Sequence, residues 1–206
     1  MPDPSVTLLR QRDYRAMPWK NGGGITHEIL REQAPAGSDP GGSGDFAWRL
    51  SIATIERSGP FSTFPHCDRV ILLLDGDGVA LDMGAAGTHS LDRPHVPFRF
   101  AGETPVDCRL LGGRSRDLNL MVDRRFADAS CFVLSTESSA GLVLPPCSAA
   151  LVVALGGPLN IALANGIALA PGDAAALVPP GSHALHLQID ARASRTSAFV
   201  AALTRR

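Results

Sequence analysis

Turn-forming residues divide this chain into short segments along its whole length. Its 206 residues include 21 glycines and 16 prolines, and brief apolar runs recur between them. Short runs separated by turn signals at this spacing are typical of a β-sandwich or β-barrel, and helix signals are scarce. The sequence therefore predicts an all-β protein.

Short segments in both halves of the chain are predicted as strands. They are residues 6–10, 25–31, 47–55, 69–74, 79–83, 97–101, 106–111, 131–135, 151–155, 159–164, 167–170, 174–178, 183–189 and 197–203. Asn165 and Gly166 predict a tight hairpin turn, and the glycines of residues 75–78 predict another turn. Residues 34–44 are polar and rich in glycine, which predicts a loop that is either a plain connection or a lid.

Charge and hydropathy exclude several classes of partner. The formal net charge of −1 and the scattered arginines supply no basic surface for a phosphate backbone, so we expect no nucleic-acid binding. Apolar runs such as residues 70–74 and 149–155 are far shorter than the about 20 residues that a membrane helix needs. The first residues lack the pattern of a secretion signal, so we expect a soluble cytoplasmic protein.

Metal and disulfide chemistry are not expected either. Cys67, Cys108, Cys131 and Cys147 lie far apart without a C-x-x-C pair, which argues against a zinc site and against a disulfide framework. We expect neither a metal nor another cofactor.

Two stretches resemble the sequence motifs of cupins, which are small double-stranded β-helix barrels. PGDAAALVPPGSH at residues 171–183 resembles the second cupin motif, and residues 59–78 resemble the first. Residues 145–157 look like a degenerate further copy. The resemblance implies a bicupin of two tandem jelly-roll barrels, an N-terminal one over residues 1–115 and a C-terminal one over residues 116–206. Neither barrel carries the His-x-His pair with which most cupins hold a metal.

The stretch PWKNGGG at residues 18–24 contains the chain's one lysine, Lys20. Consecutive glycines can turn their amide groups toward one point and form a nest for an anion. Asn21 could add an amide, and Thr26 and Glu28 of the next strand share one face. These groups could surround a small carboxylate. The alternative is a glycine-rich turn with an exposed lysine.

A second cluster lies in DFAWRLSIATIE at residues 45–56. Its alternating apolar residues, from Phe46 to Ile52, predict a core face. Arg49 and Ser51 lie on the other face, which is either exposed to solvent or part of a polar pocket, where the planar guanidinium group would suit a carboxylate.

Together these segments resemble the HutD/Ves family, bicupin proteins associated with bacterial histidine utilisation. The matching pieces are Trp19-Lys20-Asn21-Gly22-Gly23-Gly24 with Thr26 and Glu28, Phe46, Trp48-Arg49, Ser51-Ile52-Ala53, Gly59-Pro60-Phe61-Ser62, Phe64-Pro65, Asp68-Arg69, Pro97-Phe98, Phe100, Gly102 and Asp117-Leu118-Asn119-Leu120-Met121. One departure is His66, which stands after Pro65 where the resemblance leads us to expect a glycine.

The resemblance implies a metal-free pocket in the first barrel that binds a small carboxylate such as N-formylglutamate or urocanate. The candidate ligand-binding residues are Trp19, Lys20, Asn21, Gly22, Gly23, Thr26, Glu28, Arg49, Ser51, Phe61, Ser62 and Arg69. Binding would regulate histidine utilisation, and no established catalytic activity comes with the family.

Two other functions stay open at this point. One is a metal-independent cupin enzyme, an isomerase or a hydrolase of formyl or acyl compounds, with Glu28 as base and Lys20 or Arg49 on the oxyanion. The other is a structural or partner-binding barrel with an empty pocket. Exposed sheet edges would also allow a homodimer.

Overall fold

The computed structural model describes residues 3–19, 21–38, 46–163, 165–181, 183–192 and 195–206. Its regular structure consists of strands and two short 3-10 turns, Gln11–Asp13 and Gly84–Ala86, and these described ranges contain no α-helix. The predicted all-β fold is confirmed. No helix in this part of the chain could therefore cross a membrane.

The strands follow one another in short steps along the chain. In chain order they are β1 (Ser5–Leu9), β2 (Arg15–Pro18), β3 (Gly24–Gln33), β4 (Phe46–Ile55), β5 (Gly59–Pro60), β6 (Cys67–Gly76), β7 (Val79–Asp82), β8 (Thr88–Leu91), β9 (Phe98–Ala101), β10 (Asp107–Leu110), β11 (Ser115–Asp123), β12 (Ala127–Thr136), β13 (Ser139–Leu144), β14 (Ala149–Gly156), β15 (Leu159–Ile161), β16 (Ile167–Leu169), β17 (Ala174–Val178), β18 (Leu185–Ala191) and β19 (Thr196–Arg205).

The chain forms two compact units. The N-terminal unit is Tyr14–Ala127, and the C-terminal unit combines Met1–Asp13 with Asp128–Arg206. The division that we predicted after residue 115 differs from this one, because β11 pairs with β4 on one side and with β6 on the other. Strand β11 thus lies in the middle of a sheet of the N-terminal unit.

Each unit consists of two sheets. Those of the N-terminal unit run β2-β3-β4-β11-β6-β9 and β5-β10-β7-β8, and those of the C-terminal unit run β1-β17-β14-β19-β12 and β13-β18-β15-β16. In the N-terminal unit both sheets contribute to one apolar cluster, whose buried members are Ile55, Ile71, Val79, Leu81, Leu91, Val106 and Cys108. The two sheets therefore face each other, as in the predicted jelly-roll barrel.

The interior of the C-terminal unit is filled with apolar side chains. Its core cluster draws on both sheets and consists of Leu144, Ala150, Val152, Ala154, Leu159, Ile161, Leu169, Ala175, Leu177, Leu185, Leu187, Ile189, Ala198, Val200 and Ala202. The buried polar residues described in this unit are Asp173, Thr196 and Ser197. The described buried side-chain atoms without a hydrogen-bond partner belong instead to Arg49, Arg69, Asp117 and Asn119 of the N-terminal unit, so a polar binding site is sought there.

The first residues of the chain are bound to the C-terminal unit. β1 pairs with β17, and the buried carboxylate of Asp173 accepts hydrogen bonds from Arg10 Nη1 at 2.7 Å and from the Gln11 amide at 3.0 Å. Burial by itself would raise the pKa of Asp173. The hydrogen bonds from the backbone of Gln11, from Arg10 and from the backbone of Ala170 outweigh that effect and lower this pKa.

Several local predictions were correct and others were wrong. The turn after β6 is confirmed, since Gly76 and Gly78 have φ angles of 97° and 90°. The predicted hairpin at Asn165 and Gly166 is confirmed, since β15 and β16 pair antiparallel around it and Gly166 has a φ of 54°. Its loop is longer than predicted, because β15 ends at Ile161 and β16 begins at Ile167, which leaves five residues between them. Strands β2, β5, β8, β11 and β13 were not predicted, and the predicted loop over residues 34–44 lies partly outside the described residues.

Candidate functional site

Polar side chains occupy the inner face of the larger sheet in the N-terminal unit. Across β3 and β4, Thr26 lies opposite Ala53 and Glu28 lies opposite Ser51. Across β4 and β11, Ser51 lies opposite Asn119. Residues directly opposite one another on neighbouring strands point to the same side of a sheet, so these residues share one face.

The same face carries two arginines and an aspartate. Met121 of β11 lies opposite Arg49 of β4 and opposite Arg69 of β6, and Asp117 lies opposite Ala53. Alternation along β4 and β6 brings Ile55 and Ile71 of the apolar cluster onto this face as well, so it points into the barrel. We call the seven polar residues of this face the polar interior; they are Thr26, Glu28, Arg49, Ser51, Arg69, Asp117 and Asn119.

Arg69 lies deepest among the cations that the structure describes. It is 4% exposed, and its guanidinium carbon lies 4.8 Å from the ring centroid of Phe100, 5.4 Å from that of Phe61 and 5.7 Å from that of Phe64. Its Nε is buried without a hydrogen-bond partner. Burial lowers the pKa of Arg69 to about 10, with Asp117 acting in the opposite direction, so the side chain is still charged at neutral pH.

Arg49 also lies beside the Phe64 ring. Its guanidinium carbon is 5.9 Å from that ring centroid and 5.7 Å from that of Phe46, and its Nε is also buried without a hydrogen-bond partner. Burial lowers the pKa of Arg49, and the charge of Glu28 partly offsets this effect. Two positive groups thus lie close together in a place where water is largely excluded, and this arrangement favours a bound anion.

Asp117 and Asn119 supply the acceptors of the polar interior. They are 3% and 6% exposed, and the Oδ1 atom of each is buried without a hydrogen-bond partner. Burial raises the pKa of Asp117 to about 7, against the opposing charge of Arg69. Among the described residues, Asp117 forms no ion pair. Its carboxyl group therefore changes charge near neutral pH without a fixed counter-ion.

Aromatic rings form a wall beside these polar groups. The indole Nε1 of Trp19 donates a hydrogen bond to Thr26 Oγ1 at 2.8 Å. The Trp19 ring meets the Phe61 ring edge-on, with centroids 6.2 Å apart. The hydroxyl of Thr26 is thereby oriented, and the wall shields the arginines from water.

The glycine loop at residues 21–24 does not form the predicted nest. The Gly22 amide donates to the Trp19 carbonyl at 2.9 Å, and the Gly23 amide donates to Asn21 Oδ1 at 2.9 Å. Neither amide is available to an anion, because both are used inside the loop. The predicted role of these two amides was wrong for that reason.

The three glycines instead satisfy backbone requirements. Gly22 has a φ of 65°, in the left-handed region that favours glycine, and its carbonyl accepts from the Arg57 guanidinium group. A Cβ atom on Gly24 would overlap the carbonyl oxygen of Thr54 on the neighbouring strand. These contacts fix the loop at the start of β3.

The predicted site residues fall into several groups. Thr26, Glu28, Arg49, Ser51 and Arg69 lie together in the polar interior, and Trp19 and Phe61 lie in its wall. Asn21, Gly22 and Ser62 are exposed, and Gly23 is buried within the loop. Lys20 lies outside the described residues. Arg49 and Ser51 point into the barrel and not into solvent, since Ser51 is 2% exposed and Arg49 shares its face of β4.

The sequence interpretation missed Asp117 and Asn119 as site residues. The signal was present in DLNLM at residues 117–121, where polar and apolar residues alternate with the period of a strand. Polar residues on one face of a strand are usually exposed to solvent, and only the pairing of β11 on both sides shows that these two point inward.

His66 occupies the position where a glycine was expected. Its φ is 66°, within the left-handed region, so the bend keeps the backbone conformation that a glycine would favour. The departure therefore changes the side chain at the bend and not its path. His66 itself is exposed.

Other candidate sites in the described residues are weak. No group of three or more His, Cys, Asp or Glu side chains in these residues could hold a metal ion. A surface concavity of about 460 Å³ lies on the C-terminal unit, lined by Asp3, Pro4, Val6, Leu8, Leu163, Asn165, Gly166 and Ile167. It contains no buried polar side chain, so the chemistry lies in the polar interior.

Comparison with known proteins places this chain among several relatives. A family model described as HutD matches residues 11–196. A Pseudomonas putida protein named "Uncharacterized 21.2 kDa protein in hutC 3'region" is 49% identical over 116 residues, which cover 56% of this chain and 57% of that protein. The chain thus spans a little over half of the length of this curated relative.

Solved structures resemble the chain over nearly its full length. A conserved protein of unknown function from Pseudomonas aeruginosa has a TM-score of 0.84 at 33% identity, covering 97% of this chain and 99% of that one. HutD from Pseudomonas fluorescens, described in a formate condition, has a TM-score of 0.81 at 32% identity, covering 98% and 100%. Oxalate decarboxylase from Lactobacillus farciminis, at 9% identity and a TM-score of 0.66 over 98% and 87%, shows the shared cupin fold alone.

Proposed function

The chain belongs to the HutD family, and on that premise we propose that its N-terminal unit binds a small carboxylate metabolite in the polar interior. Binding would regulate histidine utilisation in the cytoplasm. The single observation that carries the proposal is the pair of guanidinium groups of Arg49 and Arg69, whose carbons lie 5.9 Å and 5.7 Å from the Phe64 ring centroid and each of which has a buried Nε that lacks a described partner.

The physical argument begins with the cost of burying these charges. A buried charge without a partner costs several kcal/mol, and an orphaned buried Nε adds to that cost. The Nε atoms of Arg49 and Arg69 both lack a hydrogen-bond partner among the residues that the structure describes. A carboxylate has two oxygens and a negative charge, so it would satisfy both needs at once.

The relatives support this choice of ligand. HutD from Pseudomonas fluorescens is described in a formate condition, and formate is the smallest carboxylate. The Pseudomonas putida relative is named for a position next to hutC. Urocanate and N-formylglutamate are the carboxylates we propose for this chain, and a homodimer through an exposed sheet edge remains part of the proposal.

Isothermal titration calorimetry at pH 7 with formate, urocanate and N-formylglutamate tests the proposal. Arg69→Met should weaken binding of the best acid by about 10 to 100 fold, because a charge-assisted hydrogen bond contributes roughly 1.5 to 3 kcal/mol. Arg116→Met is the matched control, since Arg116 pairs with Asp75 at the surface. Equal affinity in wild type and Arg69→Met would refute the site.

A catalytic alternative has one observation in its favour. Asp117 has a pKa of about 7 because of its burial, and a general base works best near the operating pH. The chain would then be a metal-independent isomerase or hydrolase of formyl or acyl compounds, with Glu28 or Asp117 as base. Turnover of N-formylglutamate that is lost in both Glu28→Gln and Asp117→Asn would support this alternative, and no turnover would refute it.

A further inference from the structure

The polar interior contains two chemically different groups of side chains, with the arginines at one level of the strands and the acceptors at the levels beyond it. Arg49 and Arg69 offer donors, whereas Asp117 and Asn119 offer acceptors, and an atom of each of these four side chains is buried without a partner. Building on the proposed function, we infer that the ligand carries a hydrogen-bond donor at the end opposite its carboxylate and that Asp117 and Asn119 accept from it.

The strand register gives the order of these groups. Arg49 and Arg69 both lie level with Met121 of β11, Asn119 lies two residues further along and Asp117 four residues further. At about 3.3 Å per residue, the arginine level and the Asp117 level are about 13 Å apart along the strands. The long arginine side chains shorten the gap, and Ser51 and Asn119 lie midway. Formate carries no N–H group and so cannot donate to Asp117 or Asn119, whereas a longer acid with an N–H group can.

Among the described residues, no side chain donates to these two oxygens. The side-chain donor of the aromatic wall, Trp19 Nε1, is already used by Thr26. An unsatisfied buried acceptor costs about 1 to 3 kcal/mol, so two of them favour a ligand with an N–H group at this end. A second carboxylate there, as N-formylglutamate would bring, would face the carboxyl oxygens of Asp117 and be disfavoured by repulsion, so of the two proposed acids this inference favours urocanate.

The charge state of Asp117 strengthens this preference at alkaline pH. The charged group that acts on Asp117 is Arg69 of β6. The thiol of Cys108 on β10 feels the charge of Asp117 in turn, and burial together with that charge raises the pKa of Cys108 to about 12. Burial raises the pKa of Asp117 to about 7, so at pH 8 the group is mostly an ionised acceptor. A ligand N–H should then be held by a charge-assisted hydrogen bond, which is roughly twice as strong as a neutral one.

A matched pair of acids tests the inference. Urocanate and 3-(2-furyl)acrylate have the same acrylate carboxylate and a five-membered ring, but only the imidazole of urocanate carries an N–H group. Both are titrated by calorimetry at pH 8, where the imidazole is neutral, into wild type and Asp117→Leu. Wild type should bind urocanate at least 10 fold more tightly than the furan acid, and this ratio should fall to near 1 in Asp117→Leu.

The outcomes separate this inference from the proposed function. If wild type binds both acids equally and Arg69→Met weakens both, the carboxylate site stands and the inference is refuted. If neither acid nor formate binds, both are refuted. If Asp117→Leu does not fold, Asn119→Leu takes its place. If neither variant folds, the ratio of the dissociation constants of the two acids in wild type still tests the inference, and a ratio near 1 refutes it.

Discussion

Asp117→Asn is the substitution that most directly tests the dryness of the polar interior. Asp117 is 3% exposed, and burial raises its pKa from the ordinary 3.8 to about 7. Because its pKa is higher in the folded state, the folded protein binds the proton more tightly than the unfolded chain. The free energy of unfolding should therefore fall as pH rises from the ordinary pKa toward 7, and it should level off above that.

The size of this effect follows from the two pKa values. Between pH 5 and pH 8 this one carboxyl should lower the free energy of unfolding of wild type by roughly 2 to 3 kcal/mol. The amide of Asp117→Asn does not titrate, so the variant should lack this loss. The free energy of unfolding of the variant minus that of wild type should therefore increase by the same amount from pH 5 to pH 8.

Urea unfolding of ligand-free protein at pH 5, 6, 7 and 8 measures the difference. Other titrating groups, including the six histidines, are present in both proteins and cancel when wild type is subtracted from the variant. If the two proteins lose stability in parallel over this range, Asp117 is ionised throughout. The interior would then be well hydrated, and the argument from orphaned buried atoms would fail.

Three further predictions concern the framework. Asp173→Asn should lower the free energy of unfolding at pH 7 by about 1 to 3 kcal/mol. Because the folded pKa of Asp173 lies below its ordinary value of 3.8, this difference should shrink only as the pH falls below that value, as urea midpoints at pH 7 and at about pH 2.5 would show. His66→Gly should raise stability by up to about 1 kcal/mol at its φ of 66°, whereas a lower urea midpoint would contradict a strained bend. Gly24→Ala should lower stability by about 1 to 3 kcal/mol through the overlap with Thr54, and an unchanged thermal midpoint would contradict the close approach of the two strands.

Local sequence signals predicted much of the fold. The run at residues 174–178, between the turn at Gly172 and the prolines that follow, was predicted with the bounds that β17 has. Four of its five residues are buried, so its short run of apolar residues was enough to predict the strand. Strand β11 was missed because Arg116, Asp117 and Asn119 make it look polar, and its burial depends on two partner strands.

The candidate site was only partly predictable for the same reason. Both faces of β4 are buried, so alternation could not decide whether Arg49 and Ser51 face solvent or a pocket. The acceptors Asp117 and Asn119 come from a strand far along the chain from β4. The glycine loop offered a tempting anion nest, but its amides are used in the turn itself.

The pairing of β1 with β17 has a consequence for biosynthesis. Leu9 pairs with Ala174, 165 residues further along the chain (174 − 9). At about 5 to 20 residues per second, a ribosome needs roughly 10 to 30 s to make that intervening length. During this interval the partner strand of residues 5–9 has not yet been synthesised, while the N-terminal unit, Tyr14–Ala127, has time to fold. A translational pause before residue 174 would prolong that wait, and with it the opportunity for a chaperone to bind.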